Sequence, residues 1–162
     1  MRRLLVAIAA MAACAVAPGP ASASPADPIG DIIQRIDAVA SAALKAPQWL
    51  MKATLYHAGK GIRARDSMGC KVVPMRTLAV DPRIVPKGSV VFIKETVGLE
   101  MPDGRIHDGL WYASDVGGAI KGQRIDLYTG AGSTSMRPLQ PLNLHELSVT
   151  PISTFDGCPP AS

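Results

Sequence analysis

Between residues 48 and 158 no stretch keeps a helical rhythm. Short β-branched and aromatic runs alternate with turn residues, and that pattern leaves few folds open. Six runs read as strands: 52–57, 76–80, 89–93, 110–114, 124–128 and 146–150. Gly59, Gly61, Pro82, Pro86, Gly88, Gly98, Gly117-Gly118 and Gly130-Ala131-Gly132 punctuate them. Pro102-Asp103-Gly104 predicts a tight turn between the arms of a hairpin. About 110 residues in short strands fit one small, mainly β barrel. There is no internal repeat and no room for a second domain of similar size.

The segment before this pattern differs. In residues 24–47, Ile32, Ile33, Ile36, Val39, Ala40, Ala43 and Leu44 recur at helical spacing. Asp27 or Asp31 is placed to cap the start, and Pro47 ends the run. One amphipathic helix cannot bury its stripe alone, so it packs on the barrel, on a partner or on a membrane surface. Residues 1–23 read as an export signal. Arg2 and Arg3 precede an apolar run, residues 4–17, that is short for a membrane span. Ala21-Ser22-Ala23 offers a small-x-small site, so cleavage is expected after Ala23. Met11-Ala12-Ala13-Cys14 is the alternative, a lipoprotein box in which Cys14 carries a lipid anchor. Either route delivers the chain to the periplasm or cell envelope.

Removing the signal takes two of the 17 basic residues and none of the 13 acidic ones, so the formal charge falls from +4 to +2. With no Lys/Arg cluster, nucleic acid is not an expected partner. Cys70 and Cys158 then remain, and an oxidising compartment favours a disulfide between them over two buried thiols. His57, His107 and His145 lie far apart and in no ligand-like cluster, so neither a metal nor another cofactor is expected.

Asp115 and Asp126 bracket a glycine-rich turn, and Asp81 lies upstream. In Arg124-Ile125-Asp126-Leu127-Tyr128, alternation puts Ile125 and Leu127 on one face and Asp126 on the other. With the two apolar residues in the core, Asp126 faces a groove or solvent. Gly117 and Gly118 are expected to allow tight or positive-φ backbone and the close approach of a bulky ligand. Two nearby carboxylates do not ionise independently, so one of them is available as an acid near neutral pH. For any one aspartate the plainer reading is a turn or cap residue.

Taken together, Ala79-Val80-Asp81-Pro82, Ile84-Val85-Pro86-Lys87-Gly88-Ser89, Ala113-Ser114-Asp115-Val116-Gly117-Gly118-Ala119-Ile120-Lys121-Gly122 and the Asp126 strand resemble the three-aspartate (3D) domain. That is the catalytic domain of the membrane-bound lytic transglycosylase A family, and the resemblance spans roughly residues 52–150. It implies a six-stranded double-psi β-barrel, here residues 48–158, with a short tail at 159–162. It also implies lytic cleavage of the β-1,4 bond between N-acetylmuramic acid and N-acetylglucosamine, leaving a 1,6-anhydromuramic end. By the same resemblance Asp126 is the single general acid/base, with Asp115 and Asp81 in support. Peptidoglycan glycan strands are the expected partner. Thr54, Tyr56, Gly117, Gly118, Ala119, Lys121 and Tyr128 are the expected substrate contacts, while Trp111 is assigned to the core.

Two departures from the family stand out. Larger members build the far wall of the groove from a second domain, which leaves this chain an open groove or a homodimer. Residues 95–108 make a longer excursion, expected to form an extra hairpin that shapes the site. Three other readings compete. They are a non-catalytic peptidoglycan-binding module on the same barrel, a dimeric aspartic protease suggested by Asp115-Val116-Gly117, and a structural envelope protein. Val116 lacks the hydroxyl that such proteases place beside the aspartate.

Overall fold

The computed structural model describes residues 28–61 and 64–160. The expected signal peptide, its cleavage site, Cys14, the Asp27 cap and the last two residues of the tail lie outside them. One helix, α1 (Pro28–Leu44), precedes six strands: β1 (Trp49–Ala58), β2 (Thr77–Val80), β3 (Ser89–Ile93), β4 (Leu110–Asp115), β5 (Arg124–Ala131) and β6 (Glu146–Thr154). All six expected strands are present, several of them longer than their runs suggested. A long 3-10 stretch, Ser133–Leu142, was not foreseen; Pro138 and Pro141 within it hide its helical character.

The strands follow the order β1-β5-β2-β4-β3-β6 and close into a barrel, since β6 pairs with both β3 and β1. Two neighbouring pairs, β1·β5 and β2·β4, run parallel; the others are antiparallel. Period-two alternation fills the interior. Met51 and Ala53, Leu78 and Val80, Val91 and Ile93, Trp111 and Ala113, Ile125 and Leu127, and Leu147 and Val149 all point inward. Trp111 is wholly buried, as expected, and its indole N–H donates to Thr96 Oγ1 at 3.0 Å. Leu139 brings the 3-10 stretch into the same core.

α1 starts at Pro28, which suits a first helical turn, so Asp31 lies inside the helix and is not its cap. The helix lies across the outside of β3, β4 and β6, where Ala42 and Val39 meet Val90, Phe92, Leu110 and Tyr112. Arg35 adds an ion pair to Asp108 at 3.7 Å. Only this narrow strip is covered, whereas Ile32, Ile33, Ile36 and Leu44 remain exposed. Of the three coverings open to the stripe, the barrel accounts for only part of it.

Residues 95–108 do turn at Pro102-Asp103-Gly104, with a bridge between Glu100 and Ile106. The segment is anchored where β2 and β4 begin. There Asp108 pairs with Arg76, and His107 Nε2 donates to Met75 O at 2.7 Å. Asp81 and Asp115 stand where the same parallel strands end. The excursion braces the opposite end of the barrel from these two aspartates, contrary to the expectation that it shapes their site.

His107 is buried and accepts the Gly109 N–H at Nδ1, 2.8 Å, so its neutral form fits the site. Burial first, and the Arg76 charge second, push its pKa from 6.5 down to about 4. Between those values the unfolded chain binds the proton more readily than the folded one, so stability falls as pH drops. Denaturant unfolding should lose on the order of 2–3 kcal/mol from pH 6.5 to 4 through this residue. His107→Gln, though weaker overall, should lack that step.

Candidate active site

β5 carries Asp126 between two hydrogen-bonded neighbours. Across β1 it stands opposite Thr54, and across β2 opposite Ala79. Ile125 and Leu127 are locked in the core, so Asp126 is held on the outer face of the barrel, half-buried. Ala79 also stands opposite Asp115 of β4. That second pairing depends on an irregularity. Leu78 pairs with Ala113 and Ala79 with Asp115, which leaves Ser114 as an extra residue in β4. Regular pairing would oppose Ala79 with Ser114 and turn Asp115 away. The bulge brings Asp115 onto the same outer face as Asp126, with the small Ala79 between their strands.

Thr54 Oγ1 lies 2.8 Å from Asp126 Oδ1 and 3.2 Å from Ile125 O. Its single proton serves either oxygen. When Asp126 is ionised, Thr54 donates to it. When Asp126 is protonated, the acid donates to Thr54, which donates to Ile125 O. One hydroxyl therefore accommodates both states of the carboxyl, as a group that gives and retakes a proton requires. Burial raises the Asp126 pKa above its ordinary 3.8; the Thr54 hydrogen bond opposes this, the charge of Asp115 adds to it, and Arg124 lowers it.

Asp115 is bound at both oxygens. Tyr56 Oη donates to Oδ2 at 2.9 Å, while the N–H groups of Ser67 and Val116 donate to Oδ1 at 3.0 and 2.9 Å. The Tyr56 phenol is held far above its ordinary pKa by burial and by Asp115, so it remains a donor. Its ring meets Tyr128 at 5.2 Å between centroids. Tyr128 itself is buried against Ala58 and Val72, so in this conformation it packs the wall and presents no open stacking face.

The loop of residues 116–123 crosses over the end of β2, because β2 lies between β4 and β5 in the sheet. Asp81 sits at that end. Its carboxylate accepts the Gly122 N–H at 2.8 Å and two guanidinium N–H bonds from Arg83, at 3.0 and 2.7 Å, all of which hold its pKa well below the usual range. Buried and fully engaged, Asp81 clamps the loop. Of the tight or positive-φ backbone expected at Gly117 and Gly118, neither residue shows positive φ; Gly122 does, at 65°. Gly117 instead leaves room for buried Ile120, since a Cβ there would lie 2.7 Å from Ile120 Cγ1. A Cβ on Gly118 would meet nothing within 4 Å. Gly118, Ala119 and Lys121 of this loop are exposed.

Sequence reasoning missed Ser67 and Arg83. Ser67 belongs to Asp66-Ser67-Met68-Gly69, recognisable as a turn, but nothing local links it to an aspartate 48 positions away. Cys70 and Cys158 form the expected disulfide. Among the described residues no group of His, Cys, Asp or Glu is arranged to hold a metal ion, and no helix is long and apolar enough to cross a membrane.

Residues 76–137 match the family described as the 3D domain. The chain carries a 3D domain. That match contains Asp81, Asp115 and Asp126. No curated protein matches the chain. Among solved structures, MltA of E. coli with bound chitohexaose is 27% identical over 59% of this chain and 29% of its own, with a TM-score of 0.45. LtgG, a lytic transglycosylase of Burkholderia pseudomallei, is 29% identical over 58% and 28%, with a TM-score of 0.39. A membrane-bound lytic murein transglycosylase of Agrobacterium tumefaciens is 28% identical over 52% and 23%, with a TM-score of 0.38. The aligned part is thus under a third of each of those chains.

A direct consequence concerns Thr54. Thr54→Val removes the hydroxyl that stabilises ionised Asp126, so the Asp126 carboxyl-carbon titration should move up by about half to one pH unit. An unmoved or lowered midpoint contradicts this reading of the pair.

Proposed function

We propose that this protein is an exported lytic transglycosylase that cleaves the MurNAc–GlcNAc β-1,4 bond of peptidoglycan glycan strands, with Asp126 as its single acid/base. The barrel is read as the double-psi type, which its two parallel pairs within an otherwise antiparallel ring support. The observation that carries the reading is Asp126 itself. It is a half-buried carboxyl with a raised pKa, backed by Thr54 and set beside Asp115 in a 3D domain.

One carboxyl group is enough for this reaction. Protonated Asp126 gives its proton to the glycosidic oxygen as the bond from muramic C1 breaks. The C6 hydroxyl of the same muramic residue attacks C1, and its proton passes to the Asp126 carboxylate. A 1,6-anhydro ring forms, the leaving strand departs with a free hydroxyl, and Asp126 is again protonated. Ordinary glycosidases use two carboxyl groups because one must act as nucleophile or activate water. Here the substrate brings the nucleophile. Asp115 is then free to accept from Tyr56 and backbone N–H groups, and its charge adds to burial in raising the Asp126 pKa. Asp81 fixes the loop whose exposed Gly118, Ala119 and Lys121 meet the glycan.

Purified sacculi incubated with the protein should release muropeptides lighter by one water than hydrolysis products. Asp126→Asn should lower the rate by at least about 100-fold, the usual scale of a lost general acid/base. Binding to sacculi without soluble product would leave the non-catalytic module as the better account.

A further inference from the structure

The mechanism above makes no use of the small hairpin at residues 64–72. Arg65 bridges Lys71, and Asp66 N–H donates to Cys70 O at 2.9 Å. Asp66 Oδ1 shapes the tip by accepting the N–H groups of Met68 and Cys70 at 3.0 and 2.9 Å. Val72 packs with Ala58 and Tyr128, and Ala64 packs against them. The tip itself is tied to the barrel polypeptide at two further places. Ser67 donates its N–H to Asp115 Oδ1 and its hydroxyl to Ser114 O, both at 3.0 Å. Cys70 is bonded to Cys158, 88 residues away beyond β6.

We propose that Ser67 is a positioning residue for Asp115, and that the Cys70–Cys158 disulfide holds it there. The inference rests on Asp115 tuning Asp126, as read above. Tyr56 bonds one oxygen of Asp115 while Ser67, with the Val116 N–H, bonds the other, which restrains the orientation of the carboxylate. Seating the tip carries a cost. Asp66 Oδ2 and Ser114 Oγ are buried and have no hydrogen-bond partner among the described residues. An unpaired buried carboxylate oxygen opposes burial strongly, and lifting the tip would hydrate it. The covalent tie offsets that tendency. Without it the tip rises towards water, Ser67 leaves Asp115, and the Asp115 carboxylate turns away from Asp126.

The test is the carboxyl-carbon titration of Asp126, which needs no substrate. It is measured in the wild type, in the Cys70→Ser/Cys158→Ser double variant, in Ser67→Pro, which removes the N–H donated to Asp115 and keeps both cysteines, and in Asp115→Asn as the limit. In the double variant the Asp126 midpoint should fall by about half a pH unit or more towards that limit, because a like charge has moved off. Ser67→Pro should move it in the same direction. A double variant with native circular dichroism and an unmoved Asp126 midpoint overturns the proposal. Should the double variant not fold, Ser67→Pro decides alone, with an unmoved midpoint counting against. In sacculus digestion the basic limb of the pH profile should shift down in step. Should sacculi not be cleaved by the wild type, the functional reading fails while the titration still decides the positioning role.

Discussion

The site depends on one strand being fixed along both edges. β5 is hydrogen-bonded to β1 on one side and β2 on the other, and Ile125 and Leu127 are sealed in the core. Asp126, between them, is therefore presented outward and cannot relax towards bulk water by moving its backbone. That is how a carboxyl is kept partly desolvated and its proton retained. A carboxylate on a loop would move to be hydrated. Closure of the ring by β6 matters for the same reason, since it leaves no edge from which the strands holding β5 would fray.

Around that fixed carboxyl the three aspartates divide their labour. Asp126 is left with one hydroxyl partner that suits both of its protonation states. Asp115 accepts from Tyr56 and from the N–H groups of Ser67 and Val116, and in the proposed mechanism it supports Asp126. Asp81 is buried in an ion pair and holds the crossing of loop 116–123 over β2. α1 stands apart from all three. It lies on β3 and its neighbours, and β3 is three places from β5 in a ring of six, on the far side of the barrel. The exposed isoleucines of α1 thus belong to a different surface from the carboxylates.

Much of this was legible in the chain. Alternation in Arg124-Ile125-Asp126-Leu127-Tyr128 set the face of Asp126, because a strand buried on one side obeys a period of two. Short β-branched and aromatic runs between turn residues located the six strands, and Trp111 was placed in the core as a strand aromatic. The period-two rule failed where the period breaks. The extra Ser114 in β4 turns Asp115 to the site, and such a bulge leaves no mark in residue types. The glycines misled in a similar way. Gly117 is needed for the side chain of Ile120 and not for its own φ, a requirement visible only once Ile120 is seen buried. Residues 95–108 were assigned to the site by their place between Asp81 and Asp115, yet parallel β2 and β4 send them to the other end. Ser67 was invisible because its partner is distant in sequence.

The central claim is that the substrate's own hydroxyl replaces the second catalytic carboxylate. Digestion of sacculi in heavy-oxygen water, with mass analysis of the released muropeptides, tests it most directly. The account predicts muramic ends that carry no heavy oxygen, because no water enters at C1. Heavy oxygen incorporated at the muramic C1 would contradict it, since water would then be the nucleophile and Asp126 alone would not suffice.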